Sequence, residues 1–164
     1  VDGAGARAVF TVNGLLFCLD LHTREITELP TPGLAVDPRI NAAGTRVAFV
    51  SDQSLHVVEL DDLAAGASCV AASAHADETW GLAEFIAAEE LSRYRGHWWL
   101  PDGASLLVER ADSSAVTRWW ISDPASPTRE PASVRYPSAG TANAVELGHG
   151  VSVSTSGSAG QRLR

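Results

Sequence analysis

Methionine and lysine are both absent from this 164-residue chain. With no Met even at position 1, the expectation is a sequence that starts inside an open reading frame or after processing. All 12 basic residues are arginine, so these residues supply no P-loop lysine, no Schiff-base lysine and no Ser-Lys dyad. A net charge of −8 argues against general binding to nucleic acid. No apolar run approaches the roughly 20 residues of a spanning helix, so no membrane segment is expected. The opening residues, VDGAGARAVF, lack the basic and apolar regions of a signal peptide, and the expected location is cytoplasmic. Cysteine is scarce: Cys18 and Cys69 are too far apart in sequence for a metal or redox pair, and Cys18, inside LLFCLDL, reads as a small buried hydrophobe.

What is present is a globular composition, 45% hydrophobic and 20% charged, and an internal repeat. A shift of 39 positions lays AGARAVFTVNGLLFCLDL (4–21) over AGTRVAFVSDQSLHVVEL (43–60). Gly5, Arg7, Phe10 and Leu16 fall on Gly44, Arg46, Phe49 and Leu55. Each copy has a Gly turn, an apolar strand, a polar turn and a second strand, which is a β-hairpin written twice. A third copy starts at WWLPDGASLLVER, with Pro101-Asp102-Gly103 as its turn. Short antiparallel strands repeated about every 40 residues point to the blades of a β-propeller, which closes with about 4 to 8 of them. The expected fold is therefore all-β: a partial propeller of about three blades, occupying 1–149, followed by a Gly/Ser-rich tail at 150–164.

Gly103 follows Gly44 by 59 residues, so the second interval is 20 longer than the first. The excess lies before Trp98 and holds a short helix, expected at about 80–93, with Leu82, Phe85 and Ile86 on one face. That face runs on to Glu89, and Glu90 lies about 100° further round. Two readings of this acidic pair stand. Both carboxylates face water and pair with Arg93 at i+3 or i+4, or they converge on one small cation, a metal or an ammonium group. A glycosidase pair fits poorly, because its carboxyls flank a bond roughly 5–10 Å apart. For a metal, His75, Asp77 and Glu78 lie nearby but without a recognised ligand spacing, so neither a metal nor another cofactor is expected. His56 and His97 read as structural histidines with their hydrogen bonds satisfied, and Trp98, Trp99, Trp119 and Trp120 as blade packing. No residue here is expected to be catalytic: Ser158 lacks the Gly at 156 that a nucleophile elbow requires.

The segment GLAEFIAAEELSRYRGHWWLPDGASLLVER resembles the propeller domain of the dipeptidyl peptidase IV family of serine exopeptidases, closest to its bacterial and cytosolic branch. Glu89, Glu90, Leu91, Ser92, Arg93, Trp98, Trp99, Pro101 and Gly103 match the pattern in order, while His97 stands where Tyr is frequent. RWWISDPASP (118–127) and RYPSAGTANA (135–144) resemble segments that follow the motif, and the likeness stops after Leu147. The resemblance implies that Glu89 and Glu90 bind the N-terminal ammonium of a peptide. Adjacent carboxylates repel each other, and a cation between them relieves that repulsion. It further implies a separate α/β-hydrolase domain with a Ser, Asp, His triad, release of dipeptides with Pro or Ala second, and a possible homodimer. The alternative from another class is a non-catalytic propeller that binds proteins.

Overall fold

The computed structural model describes residues 1–153; residues 154–164, Ser158 among them, lie outside the described residues. The two copies of the repeat are the same hairpin. Strands β1 (Arg7–Val12) and β2 (Leu15–Asp20) pair from Arg7↔Asp20 to Val12↔Leu15. Strands β5 (Arg46–Ser51) and β6 (Ser54–Glu59) pair from Arg46↔Glu59 to Ser51↔Ser54. Each closes through two residues of positive φ, Asn13 and Gly14 at 51° and 79°, Asp52 and Gln53 at 47° and 63°. That is the backbone of a primed turn, whose twist matches the right-handed twist of the strands it joins.

Strand β3 (Ile26–Leu29) completes a first, three-stranded blade in the order β1-β2-β3. Strands β4 (Val36–Ile40) and β7 (Ala67–Ala71) flank the second hairpin to give a four-stranded blade, β4-β5-β6-β7. The third blade is organised by β10 (Ser105–Asp112), entered through the predicted turn at Pro101-Asp102-Gly103. On one side β13 (Val145–Ser152) pairs along its whole length. The other side is shared: β9 (His97–Trp99) covers Leu106–Val108 and β8 (Glu78–Trp80) covers Arg110–Asp112. The fold is thus all-β, a partial propeller of three blades with one short helix, as the repeat predicts.

The central hairpin of the middle blade, β5–β6, is buried on both faces, which is why its strands read as nearly continuous apolar runs. Val47, Phe49 and Val58 join Leu16, Cys18 and Leu29 of the first blade in one core. Their neighbours Ala48, Val50, Leu55 and Val57 join Trp80, Leu106, Val108 and Val151 in another. Full burial of each Val, Leu or Phe among them stabilises the fold by roughly 1.5–3 kcal/mol. The repeat also carries a polar link between blades. Arg7 Nη1 donates to the Gly44 carbonyl at 2.6 Å, and Arg46 Nη1, 39 positions on, reaches toward the equivalent Gly103 carbonyl at 3.4 Å. Arg46 is held in place by Glu59, its cross-strand partner, through two Nε–carboxylate contacts of 2.8 and 3.1 Å. Both cysteines are free, Cys18 buried as predicted and Cys69 exposed.

Four expectations need correction. The helix, α1, is six residues long, Phe85–Glu90, and not a segment of about 80–93. Strand β13 runs through the position expected to start the tail, with Val151 and Val153 buried, because β10 offers it a full edge to pair with. Trp119 and Trp120 are not blade packing. They lie on β11 (Arg118–Ile121), which forms with β12 (Ala132–Arg135) a separate hairpin inserted between β10 and β13. All four β11 residues are exposed, Trp120 at 62%. The histidines are satisfied only in part. His97 Nδ1 lies 2.8 Å from the Gly81 carbonyl, but His97 Nε2 and His56 Nδ1 are buried without a hydrogen-bond partner among the described residues. Burial pushes the pKa of both imidazoles down.

Candidate functional site: the acidic pair of the helical insertion

The excess length between the second and third repeats emerges from a single point on β10. Gly81 N–H donates to the Glu109 carbonyl at 2.9 Å, and Glu109 N–H donates to the Gly96 carbonyl at 2.8 Å. Glu109 is the one residue between the stretch of β10 paired with β9 and the stretch paired with β8, so residues 81–96 leave and rejoin the sheet there. The neck is narrow: Leu82 bridges Arg95, and Ala83 N–H reaches the Tyr94 carbonyl at 3.4 Å. Gly96 has no room for a side chain, since a Cβ there would sit 2.4 Å from the Leu82 carbonyl carbon. Gly81, at φ +87°, is in the region that favours glycine.

Above this neck Glu84 caps α1, its carboxylate accepting from Ile86 N–H at 2.8 Å and Ala87 N–H at 2.5 Å. Ala87 is the buried residue of the helix. The predicted apolar stripe is looser than expected: Phe85 is 45% exposed, meeting Tyr136 edge-on with ring centroids 5.6 Å apart. Past the helix, Ser92 takes a left-handed conformation at φ 53°, and Arg93 N–H returns to the Ala87 carbonyl at 2.9 Å. Glu89 and Glu90 close the last turn, adjacent and exposed.

Arg93 does not pair with them. Its guanidinium binds the Glu109 carboxylate through Nη1, with Nη2 at 3.4 Å from Oε1, and lies 3.6 Å from Glu146. Among the described residues no ion pair engages Glu89 or Glu90. The arrangement thus leaves the two acidic residues exposed, with no ion-pair partner among the described residues.

Sequence reasoning missed the acids beneath the helix. Glu109, 8% exposed, also accepts the Glu84 N–H at 3.3 Å. Glu146 has its carboxyl pushed up by burial and then by the Glu109 and Glu84 carboxylates, while Arg93 pulls it down. Glu109, through its hydrogen bond, holds the Arg93 guanidinium above its ordinary pKa. One signal could have pointed there: an acidic residue directly after the apolar run Leu106–Val108.

The remaining acids weighed above have other work. Asp77 binds Arg135 at 3.0 and 2.5 Å and Arg118 at 3.1 Å, which fastens the β11–β12 hairpin to the loop before β8. Glu78 accepts from Arg110 at 2.9 Å and from the Trp80 indole at 2.6 Å. His75 lies 3.5 Å from Glu78 and 3.7 Å from Asp112. Trp99 donates to the Arg39 carbonyl at 2.9 Å between blades, and Arg95 lies over the Trp98 ring at 5.5 Å. No helix among the described residues is long and apolar enough to cross a membrane.

Residues 9–160 match the family model for the dipeptidyl peptidase IV (DPP IV) N-terminal region. Human dipeptidyl peptidase 8 is 38% identical over 72 residues, covering 38% of this chain and 8% of that protein, and the mouse protein matches equally. The crystal structure of Porphyromonas gingivalis dipeptidyl peptidase 4 superposes with a TM-score of 0.78 at 20% identity, over 93% of this chain and 23% of that one. A putative dipeptidyl aminopeptidase IV from Bacteroides ovatus gives 0.67 at 24% identity, over 90% and 19%. The two structures share the fold, and the chain spans less than a quarter of the length of each of these relatives. The chain belongs to the dipeptidyl peptidase IV family, matching its N-terminal region.

Proposed function

We propose that this chain is the substrate-gating propeller part of a serine exopeptidase that removes N-terminal Xaa-Pro or Xaa-Ala dipeptides, with Glu89 and Glu90 anchoring the ammonium group of the substrate. The observation that carries the reading is their setting. Both acids are exposed on the insertion that the blade does not need for its own sheet, and the arginine next to them is engaged elsewhere. Hydrogen bonds from an ammonium to carboxylates are worth roughly 1.5–3 kcal/mol each. An amine held at a fixed distance from a serine nucleophile admits two residues and no more, so the acids act as a ruler. The nucleophile belongs to a separate α/β-hydrolase domain, and the whole protein acts in the cytoplasm, with a homodimer as its assembled form.

The test is the complete reading frame. The expected result is that it encodes an α/β-hydrolase domain with G-x-S-x-G and that the purified product releases dipeptides from H-Xaa-Pro and H-Xaa-Ala substrates. A frame that ends, or that adds only blades, and a product without such activity would leave a non-catalytic binding propeller instead.

A further inference from the structure

We infer that Glu109 is the positioning residue of the amine site: it ties both ends of the helical insertion to β10 and thereby sets where Glu89 and Glu90 stand. This rests on the reading of those two acids as the amine anchor. Four bonds converge on the one residue. Its backbone holds Gly81 and Gly96, where the insertion leaves and re-enters the sheet. Its side chain holds the Glu84 N–H just before α1 and the Arg93 guanidinium just after it.

The backbone bonds would persist with any side chain, whereas the two side-chain bonds are what bracket the helix. A six-residue helix has almost no stability of its own, because its few internal hydrogen bonds do not offset the cost of nucleation. Only Ala87 of the helix is buried, so packing alone does not fix its orientation. The side-chain clamp therefore supplies the missing constraint. It has a second effect: an Arg93 released from Glu109 lies at helical pairing distance in sequence from both Glu89 and Glu90, and would compete with the substrate ammonium.

The test uses the complete enzyme with the variants Glu109→Gln, Arg93→Gln and the double variant, assayed on an H-Xaa-Pro substrate and on its desamino analogue. Glu109→Gln should raise KM for the free-amine substrate by about 10-fold with kcat little changed, and leave the desamino substrate alone, the pattern of lost uniform binding. The double variant should lose no more than the worse single variant, because the two side chains act as one unit. A merely structural role would lower both substrates in proportion and shift Tm. Proportional losses, or full additivity of Arg93→Gln and Glu109→Gln, would overturn the inference. If Glu109→Gln does not fold, Arg93→Gln, at a one-third exposed position, carries the same substrate comparison. Glu89→Gln serves as the control. If it also keeps the free-amine preference, the anchor reading itself fails; if it loses that preference while Glu109→Gln and Arg93→Gln keep it, only the positioning role does.

Discussion

The Arg93 guanidinium is bound by Glu109 of β10, and among the described residues the two glutamates one helical turn before it form no ion pair. Local sequence favours the opposite arrangement, since acids and arginines at i+3 and i+4 on a helix attract one another. The bond to Glu109 wins because that carboxylate is mostly buried and a buried charge without a partner is far more costly than an exposed one. The exposed Glu89 and Glu90 are then left at the end of the helix without an ion pair among the described residues.

The neck of the insertion gives a first prediction. Gly96→Ala places a methyl group 2.4 Å from the Leu82 carbonyl carbon and 2.7 Å from that of Gly81, whose N–H is bonded to Glu109. Overpacking of this kind costs roughly 1–3 kcal/mol. Denaturant unfolding should show a lowered midpoint, and the enzyme should lose free-amine preference at the same time. An unchanged midpoint would show that the neck is slack.

Much of the fold is legible in the sequence, and what is not depends mainly on long-range pairing. The 39-residue repeat predicts the two hairpins, because turn residues and short apolar strands are local properties. Glu89 and Glu90 stood out because they are adjacent in sequence. Glu109 did not, since its role depends on the register of β10 against both β8 and β9, which are long-range pairings. Strand β13 was hidden by Gly148 and Gly150, which weaken strand propensity, and pairing with β10 overrides that preference. Trp119 and Trp120 read as core because large aromatics usually are, and only the three-dimensional structure shows their hairpin standing apart from the blades.

The tryptophans supply a second prediction. Trp80, 1% exposed, fills the core between the second and third blades, so Trp80→Ala should cost about 3–5 kcal/mol in unfolding free energy. Trp120→Ser should change it by no more than about 0.5 kcal/mol, as at other exposed positions. Equal losses for the two variants would return Trp120 to the core.

The link between blades is the third. Arg46→Ala removes both the Glu59 pair and the approach to the Gly103 carbonyl, and leaves the Glu59 carboxylate one-third exposed. A loss of roughly 0.5–1.5 kcal/mol is expected, the usual net contribution of a hydrogen bond. A loss indistinguishable from zero would mean that the repeated arginine only marks the turn.

A fourth concerns pH. Arg110, and then the Trp80 indole, hold the Glu78 carboxyl below its ordinary value of 4.5 against the opposing effect of burial. A carboxyl depressed on folding stabilises the fold above its unfolded pKa, and the contribution is lost as pH falls through the folded value. Glu78→Gln should therefore be less stable than wild type near neutrality, with the gap closing as pH drops below 4.5. A gap independent of pH would assign the loss to packing and not to the charge.

The most direct measurement is the substrate preference of the complete enzyme carrying Glu89→Gln, Glu90→Gln or both, compared on an H-Xaa-Pro substrate and its N-acetylated form. Each single change should lower kcat/KM for the free amine by about 10- to 150-fold, the equivalent of one charged hydrogen bond. The double variant should lose most of the discrimination, with unfolding barely altered because both acids are exposed. If all three variants keep the wild-type preference for a free amine, the two acids are ordinary solvated residues and the amine is bound elsewhere.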